Sequence, residues 1–404
     1  MSDGVRQPVP LADRGFTAAW LAYPLALFTL PNAWKIGPVS PETLMSAAYS
    51  IIFFLSVLVY RRPSTAGELT VAIPRAWIAF ALVSVVAIGI RSGPVGLFRS
   101  LTWVAVPNLT VSLFRSAALR RKLWWVMALA GCTSAIWALI SLPLPMPEKT
   151  ELFAWTHRTV FGYFLAITLL VMVHLALTVE AKLKPLLILG VAAVAATLAF
   201  SLARGAWVGA FAGFVILFAR RPKQLGLALL AAAAVGTAIV ATSGDGAVIG
   251  ARLRSLVDSD VASSSLYRAN LYLAAIRSIP DSWLLGADMH GFGPYLARFS
   301  LLRYPHFYSP EFEPDSDVIR LLLLGGLPLL CLFVWLGLTI ARSALQVAFQ
   351  GDADERVRAG IACVVGCQML FDNILSNSLG WFYLGLIFTL PRRPSNARGK
   401  NAIA

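Results

Sequence analysis

Apolar runs of about 20 residues, separated by polar turns, recur along almost the whole chain, and nothing else in the sequence limits the fold as tightly. A helix needs about 20 predominantly apolar residues to cross the hydrocarbon core of a bilayer. Such runs fall at 17–34, 42–60, 74–90, 98–117, 123–142, 159–179, 185–203, 205–219, 224–242, 318–341, 359–377 and 379–391. The fourth is interrupted by Arg99, Pro107, Asn108 and Arg115, and the last two are short and joined tightly through Asn377 and Ser378. In lipid, backbone polar groups must be paired within the segment, which favours helices. The expected fold is an all-α polytopic membrane protein with about twelve transmembrane helices.

Composition removes the alternatives. Hydrophobic residues make up 58% of the chain and charged ones 13%, with a mean hydropathy of +0.72. A soluble domain carries roughly 25% charged residues, so there is too little polar material here for an ordinary cytoplasmic enzyme. Cys132, Cys331, Cys363 and Cys367 all sit inside apolar runs, unlike the cysteines of a disulfide scaffold. The net charge of +14 does not indicate nucleic acid, which needs basic residues on one solvated face with stacking aromatics.

The basic residues lie beside the apolar runs, where they orient a membrane protein. With a cytoplasmic N-terminus, the inward segments hold pairs and triplets such as Arg61-Arg62, Arg120-Arg121-Lys122 and Arg220-Arg221, together with Lys223, Arg356 and Arg358. The short outward loops hold few: Lys35, Arg91, Lys149 and Arg158. Positive charge near span ends stays in the cytoplasm, so both termini are expected there. The run 17–34 begins too late and is too long for a signal peptide, so it is expected to remain as the first span.

One stretch breaks the rhythm. Residues 243–316, about 74 of them, are polar and fall on the outer side, dividing the chain into spans one to nine (1–242), an outer loop, and spans ten to twelve with a tail (317–404). A loop of that length usually carries function. Within it, Ser263-Ser264-Ser265 offers a helix start before an apolar pattern at helical spacing, and Pro280 ends that pattern. A glycine-rich turn at 286–294 and the aromatic run 304–308 follow. No period of 20–50 residues is apparent, so a repeat array or a transporter with related halves finds no support.

Arg204 is the sharpest chemical feature. It stands at the outer junction between spans seven and eight with no acidic neighbour in sequence. Such an arginine can snorkel to lipid phosphates; beside an outward cavity it suits bidentate phosphate binding. Arg268 lies on the loop helix, with Tyr272 four residues later on the same face. Two fixed cations stabilise the charge that develops on a departing diphosphate without a metal.

Activating an acceptor hydroxyl calls for a base, for which the outward candidates are His157, His290, His306, Asp288, Asp315 and Asp317. His306, among aromatics, is the preferred histidine because imidazole has the favourable unperturbed pKa. Carboxylates in Asp315-Ser316-Asp317 also suit a helix start. That triplet reads as an Asp-x-Asp metal site as well, but Asp258-Ser259-Asp260 repeats it nearby. Motifs for zinc hydrolysis and P-loop chemistry are missing from the sequence, so no metal or cofactor is expected. His174 and Asp372 are intramembrane polar groups, read first as packed, hydrogen-bonded residues.

Three marks, in order, carry a resemblance: Ser201-Leu-Ala-Arg204-Gly-Ala-Trp207, then Tyr267-Arg268-Ala-Asn-Leu-Tyr272 running to Pro280 with Gly286, Gly291 and Gly293, then Leu321-Leu-Leu-Leu-Gly325-Gly326. This resembles the bacterial O-antigen ligase and O-antigen polymerase superfamily over about residues 200–335. The resemblance implies a GT-C-like glycosyltransferase of the bacterial inner membrane whose active site faces the periplasm. Its donor would be a glycan on undecaprenyl diphosphate. Its acceptor would be a sugar hydroxyl, on lipid A-core for a ligase or on a second lipid-linked repeat for a polymerase.

The family's two diphosphate-binding arginines carry over to Arg204 and Arg268, with Tyr272, His290 and Asp372 as supporting candidates. Ligases place a His-Asn pair eleven residues before the glycine matching Gly326, where this chain has Asp315-Ser316. Either Asp315 is the base, with Asp317 beside it, or His306 folds back to supply one, or the acceptor differs. An aspartate at that place resembles polymerase-type members.

A polytopic transporter or flippase of lipid-linked saccharides is the rival expectation, since twelve spans and internal termini suit it equally. A structural subunit that docks a partner through the loop is a third, but it leaves Arg204 without a role.

Overall fold

A computed structural model of the protein describes residues 75–115, 117–141, 158–201, 203–226, 264–287, 292–301, 314–376 and 378–391, together with Ala48. The expected spans at 17–34, most of 42–60 and most of 224–242 lie outside the described residues. So do His290, His306, His157 and Asp288. Among the described residues the secondary structure is entirely helical.

In chain order the helices are α1 (Arg75–Arg115), α2 (Ala117–Ser141), α3 (Arg158–Thr178), α4 (Lys184–Phe200) and α5 (Arg204–Leu217). In the loop lie α6 (Ser264–Arg277), α7 (Ile279–Ser282) and α8 (Phe292–Ala297). Then come α9 (Asp317–Gln350), α10 (Ala353–Phe371) and α11 (Ser378–Phe388). The helices cut from 123–142, 159–179, 185–203 and 205–219 reappear within a few residues as α2 to α5.

Elsewhere the boundaries differ from expectation. The runs 74–90 and 98–117 form one helix, α1, of 41 residues, so the count of twelve separate spans is not reproduced there. Pro94 removes one ladder hydrogen bond, which the apolar sequence on either side outweighs. Helix α10 starts at Ala353, ahead of the expected 359, because Asp352 and Glu355 form a capping box: the Asp352 side chain accepts from the Glu355 amide at 2.7 Å and the Glu355 carboxylate from the Asp352 amide at 3.0 Å.

Among the described residues, four helices are long and apolar enough to cross a membrane: Leu119–Ile140, Thr159–Thr178, Ala181–Phe200 and Asp317–Gln350. Large apolar side chains on their outer faces are exposed, among them Leu129, Ile136, Leu186, Leu189, Val334 and Leu338. A soluble protein does not leave such faces in water, so this is a membrane protein.

Helices α5 and α10 make the closest pairing. Gly205, Gly209 and Gly213 recur every four residues on α5 and form one stripe. A Cβ at Gly209 would stand 3.2 Å from the Val364 Cα, and one at Gly213 would stand 3.1 Å from the Gly360 carbonyl oxygen. Small residues let two membrane helices bring their backbones together. The same stripe begins at Gly205 against Gln368 and Phe371, so α5 runs antiparallel to α10 and Arg204 lies beside the C-terminal end of α10.

The opposite end of α10 is polar and basic. Asp354 pairs with Arg120 and Arg358, each at 3.4 Å, and accepts from the Trp124 indole N–H at 2.7 Å. The buried Arg358 also donates to the Thr389 carbonyl and, at 2.9 Å, to its hydroxyl. Arg220 and Arg221, just beyond α5, are near enough for their charges to act on Arg356. His174 packs edge-on to Trp124, with ring centroids 6.2 Å apart; its buried Nδ1 has no hydrogen-bond partner among the described residues. A 19-residue helix is about 28 Å long at 1.5 Å per residue, so this cluster and Arg204 lie at opposite ends of the membrane-crossing body.

Candidate functional site

Two helix starts and the loop helix meet the C-terminal end of α10 near Asp372. The first is the start of α5. Its N-cap, Ala203, makes no side-chain cap bond, and helix N-termini carry amide donors and a positive dipole end suited to anions. Arg204 is the first helical residue and is partly buried. The turn before it is fixed by Ser201, whose hydroxyl donates to the Leu198 carbonyl at 2.7 Å, and by Trp207, whose indole N–H donates to the same carbonyl at 2.9 Å.

The second element is the loop helix α6, which starts within the serine triplet as expected. Pro280 lies in the first turn of α7, just past the break at Ser278, rather than at the end of the pattern. Tyr272 points from α6 to the end of α10, where its hydroxyl donates to the Leu370 carbonyl at 2.6 Å. The Ser316 hydroxyl stands 2.8 Å from the same tyrosine oxygen. A phenol has one proton, which the carbonyl takes, so Ser316 is the donor in the second bond. Arg268, one turn before Tyr272, is partly buried, and its Nε has no hydrogen-bond partner among the described residues. Asn270 fixes the other face of α6 by donating to the Ser300 hydroxyl at 2.6 Å and accepting from the Leu301 amide at 3.0 Å.

The third element is the start of α9. Expectation made its carboxylates caps, but Ser316 is the N-cap and its hydroxyl goes to Tyr272 instead. Asp317 is fully buried and both its oxygens accept from the Leu375 amide, at 3.1 and 3.2 Å, so it ties α9 to the 3-10 turn Ile374–Ser376. The Asp317 amide donates to the Asp372 carbonyl at 3.2 Å. Asp372 is buried as well; its carboxylate accepts from Gln368 Nε2 at 3.2 Å and the Asn373 amide at 2.9 Å, which fits the reading of it as a packed, hydrogen-bonded residue. Asp315, by contrast, is only partly buried.

Beneath these groups lies a residue that sequence reasoning missed. Arg320 is 1% exposed and its guanidinium carbon sits 5.5 Å from the Trp103 ring centroid. Trp103 stacks on Trp381 at 5.0 Å, and the Trp381 indole N–H donates at 2.9 Å to the Leu375 carbonyl. Leu375 thus meets Asp317 through its amide and Trp381 through its carbonyl. A lone charge one turn into an apolar span was the available signal. Gln368, which meets both Gly205 and Asp372, gave none.

The structure therefore brings Arg204, Tyr272, Asp317 and Asp372 to one helix end, with Arg268 a turn from Tyr272 and Asp315 two residues before Asp317. Residues 189–334 match the family model described as O-antigen ligase. The match supports a place in the O-antigen ligase and polymerase superfamily over that segment. Among curated proteins none matches the chain. The O-antigen ligase segment runs from within α4 into α9 and holds both arginines, Tyr272 and the Asp315–Asp317 triplet. Helix α10, against which those parts assemble, lies outside it.

Proposed function

We propose that the protein is a glycosyltransferase of the O-antigen ligase and polymerase type, moving a glycan from undecaprenyl diphosphate to a sugar hydroxyl. The observation that carries this reading is the convergence of the uncapped start of α5, bearing Arg204, and the loop helix bearing Arg268 on residues 368–372 of α10. Both belong to the segment matched by the O-antigen ligase family. The buried, unpartnered Nε of Arg268 suits an anion that arrives with substrate.

In the reaction, the acceptor oxygen attacks the anomeric carbon of the donor sugar as the bond from that carbon to the diphosphate oxygen breaks. The acceptor proton passes to the Asp315 carboxylate. The charge on the departing diphosphate is held by Arg204, Arg268 and the first amides of α5, and fixed donors of this kind cost no reorganisation during the reaction. Asp317, buried on the Leu375 amide, holds the start of α9 and thereby Asp315, while Asp372 holds the end of α10. The basic cluster of Arg120, Arg220, Arg221 and Arg356 marks the cytoplasmic end, so the site faces the periplasm from the inner membrane, with both termini in the cytoplasm. An aspartate in place of the ligase histidine favours polymerisation, with a second lipid-linked repeat as acceptor.

The test is reconstitution of the purified protein with polyprenyl-diphosphate-linked glycan and, in separate reactions, lipid A-core or a second lipid-linked repeat. A lengthened lipid-linked product identifies the polymerase and a glycosylated core the ligase. Arg204→Ala and Arg268→Ala each abolish product at unchanged protein level. Movement of the lipid-linked glycan across the bilayer without any product would overturn the reading in favour of a flippase.

A further inference from the structure

The turn that joins α7 to the loop's glycine-rich stretch is built into the span below it. Helix α9 is broken at Gly325 and Gly326, where Gly326 has φ +65° and ψ −163°. The break frees backbone groups, and the loop supplies partners for them. The Leu323 carbonyl accepts from the Ala287 amide at 2.5 Å, and the Leu327 amide donates to the Trp283 carbonyl at 2.7 Å. Gly286, with φ +72°, closes the turn by donating to the Ser282 carbonyl at 2.9 Å. The fit excludes side chains: a Cβ at Gly286 would collide with the Leu323 carbonyl, and one at Gly326 would stand 2.5 Å from the Trp283 carbonyl oxygen.

This fixes the depth of the turn. Residues 321–340 of α9 form an uncharged run of the length a bilayer requires, bounded by Arg320 and, after Ala341, by Arg342. Position 323 lies two residues inside its outer end, or roughly 3 Å at 1.5 Å per residue, and position 327 lies deeper in the same run, just past the break. The loop residues paired with them lie at that level. Their side chains agree: Trp283, Leu284 and Leu285 are three consecutive large apolar groups, 55%, 50% and 46% exposed. Non-helical backbone at membrane depth requires protein partners, and this turn has them.

The geometry points to a re-entrant contact: residues Trp283 to Leu285 insert into the acyl chains of the leaflet on the loop's side, anchoring the loop to the bilayer surface. The occupant is membrane lipid, because the same surface continues down α9 through the exposed Val334, Trp335 and Leu338. Helix α6 connects to this turn through α7, so the anchor sets the height of Arg268 above the membrane. The inference concerns a lipid contact and holds whichever reaction the protein catalyses.

The test uses the full chain with its four cysteines replaced by serine or alanine, bearing one new cysteine, Leu284→Cys or, as a polar control on the same loop, Arg298→Cys. Each is labelled with a small fluorophore and reconstituted in phosphatidylcholine–phosphatidylglycerol vesicles. The label at 284 is expected to be quenched at least twofold more than that at 298 by a nitroxide on acyl carbon 5, and to be shielded from aqueous iodide. Equal iodide quenching at both positions overturns the proposal. Should the cysteine-free chain not fold, the native protein is irradiated with a phospholipid carrying a diazirine in its acyl chain. Adducts at 283–285 are expected; adducts at 334–338 with none at 283–285 overturn the proposal.

Discussion

The hydroxyl of Ser316 donates to that of Tyr272 across 2.8 Å, and Tyr272 in turn donates to the Leu370 carbonyl across 2.6 Å. A single phenolic oxygen thus joins the loop helix to the start of α9 and the end of α10. Tyr272→Phe removes both bonds and nothing else. Net hydrogen-bond contributions of about 0.5–1.5 kcal/mol each give an expected destabilisation of about 1–3 kcal/mol, read as a lower unfolding temperature in detergent. Transfer activity should fall more steeply than stability, because Arg268 loses its anchor; an unchanged turnover would remove α6 from the site.

Charge alone does not define the role given to Arg204. Lysine keeps the charge but loses the planar fork that grips two oxygens of a diphosphate. Arg204→Lys is therefore expected to retain little activity, whereas removing one preorganised donor altogether costs about 10²- to 10³-fold in turnover. Full activity in the lysine variant would assign Arg204 to packing or snorkelling instead.

Asp315 and Asp317 should respond differently to the same chemical change. Asp315→Asn abolishes the group proposed to take the acceptor proton, so turnover is lost while the thermal transition is unchanged and the lipid-linked donor still binds. Asp317→Asn acts on a buried carboxylate that both orders Leu375 and lies one turn from the buried Arg320. Leaving a buried cation uncompensated costs about 3–5 kcal/mol, so this variant should be recovered in reduced yield. The opposite pattern in yield and turnover would exchange the two roles.

Glycines on α9 offer an internal comparison. Gly326→Ala places a Cβ at positive φ against Trp283 and Leu284, where backbone strain alone costs roughly 1–3 kcal/mol. Limited proteolysis should then cut the loop between 283 and 301. Gly337→Ala, with open space around it, should be neutral or stabilising by about 0.5–1 kcal/mol. Similar behaviour of the two variants would mean that the turn does not dock in the break.

Of all this, helices α2 to α5 were legible in the sequence, since apolar runs of membrane length are local signals, and the two arginines stood out as cations with no acidic neighbour in sequence. The continuity of α1 through Pro94 was not, because a proline between apolar segments reads equally as a turn or as a tolerated kink. The carboxylates of Asp315 and Asp317 looked like caps, since only the fold shows that Ser316 is the N-cap and that Tyr272 reaches it from 44 positions away. Gln368 and the stripe of Gly205, Gly209 and Gly213 carried no visible message, because small and neutral residues acquire meaning only from what presses against them. The buried Arg320 was readable as an ion in an apolar span, but its partner Trp103 lies more than 200 residues earlier.

The backbone contact between α5 and α10 has a further consequence. Two helices locked at that distance have no slack, so the floor of the site is rigid, and substrates of differing bulk must be accommodated by the part above it. That part is held to the floor at Tyr272 by two hydroxyl contacts. A macromolecule that prised the loop helix away would silence the protein without having to enter the lipid, which makes this junction an attractive point for an inhibitory antibody fragment.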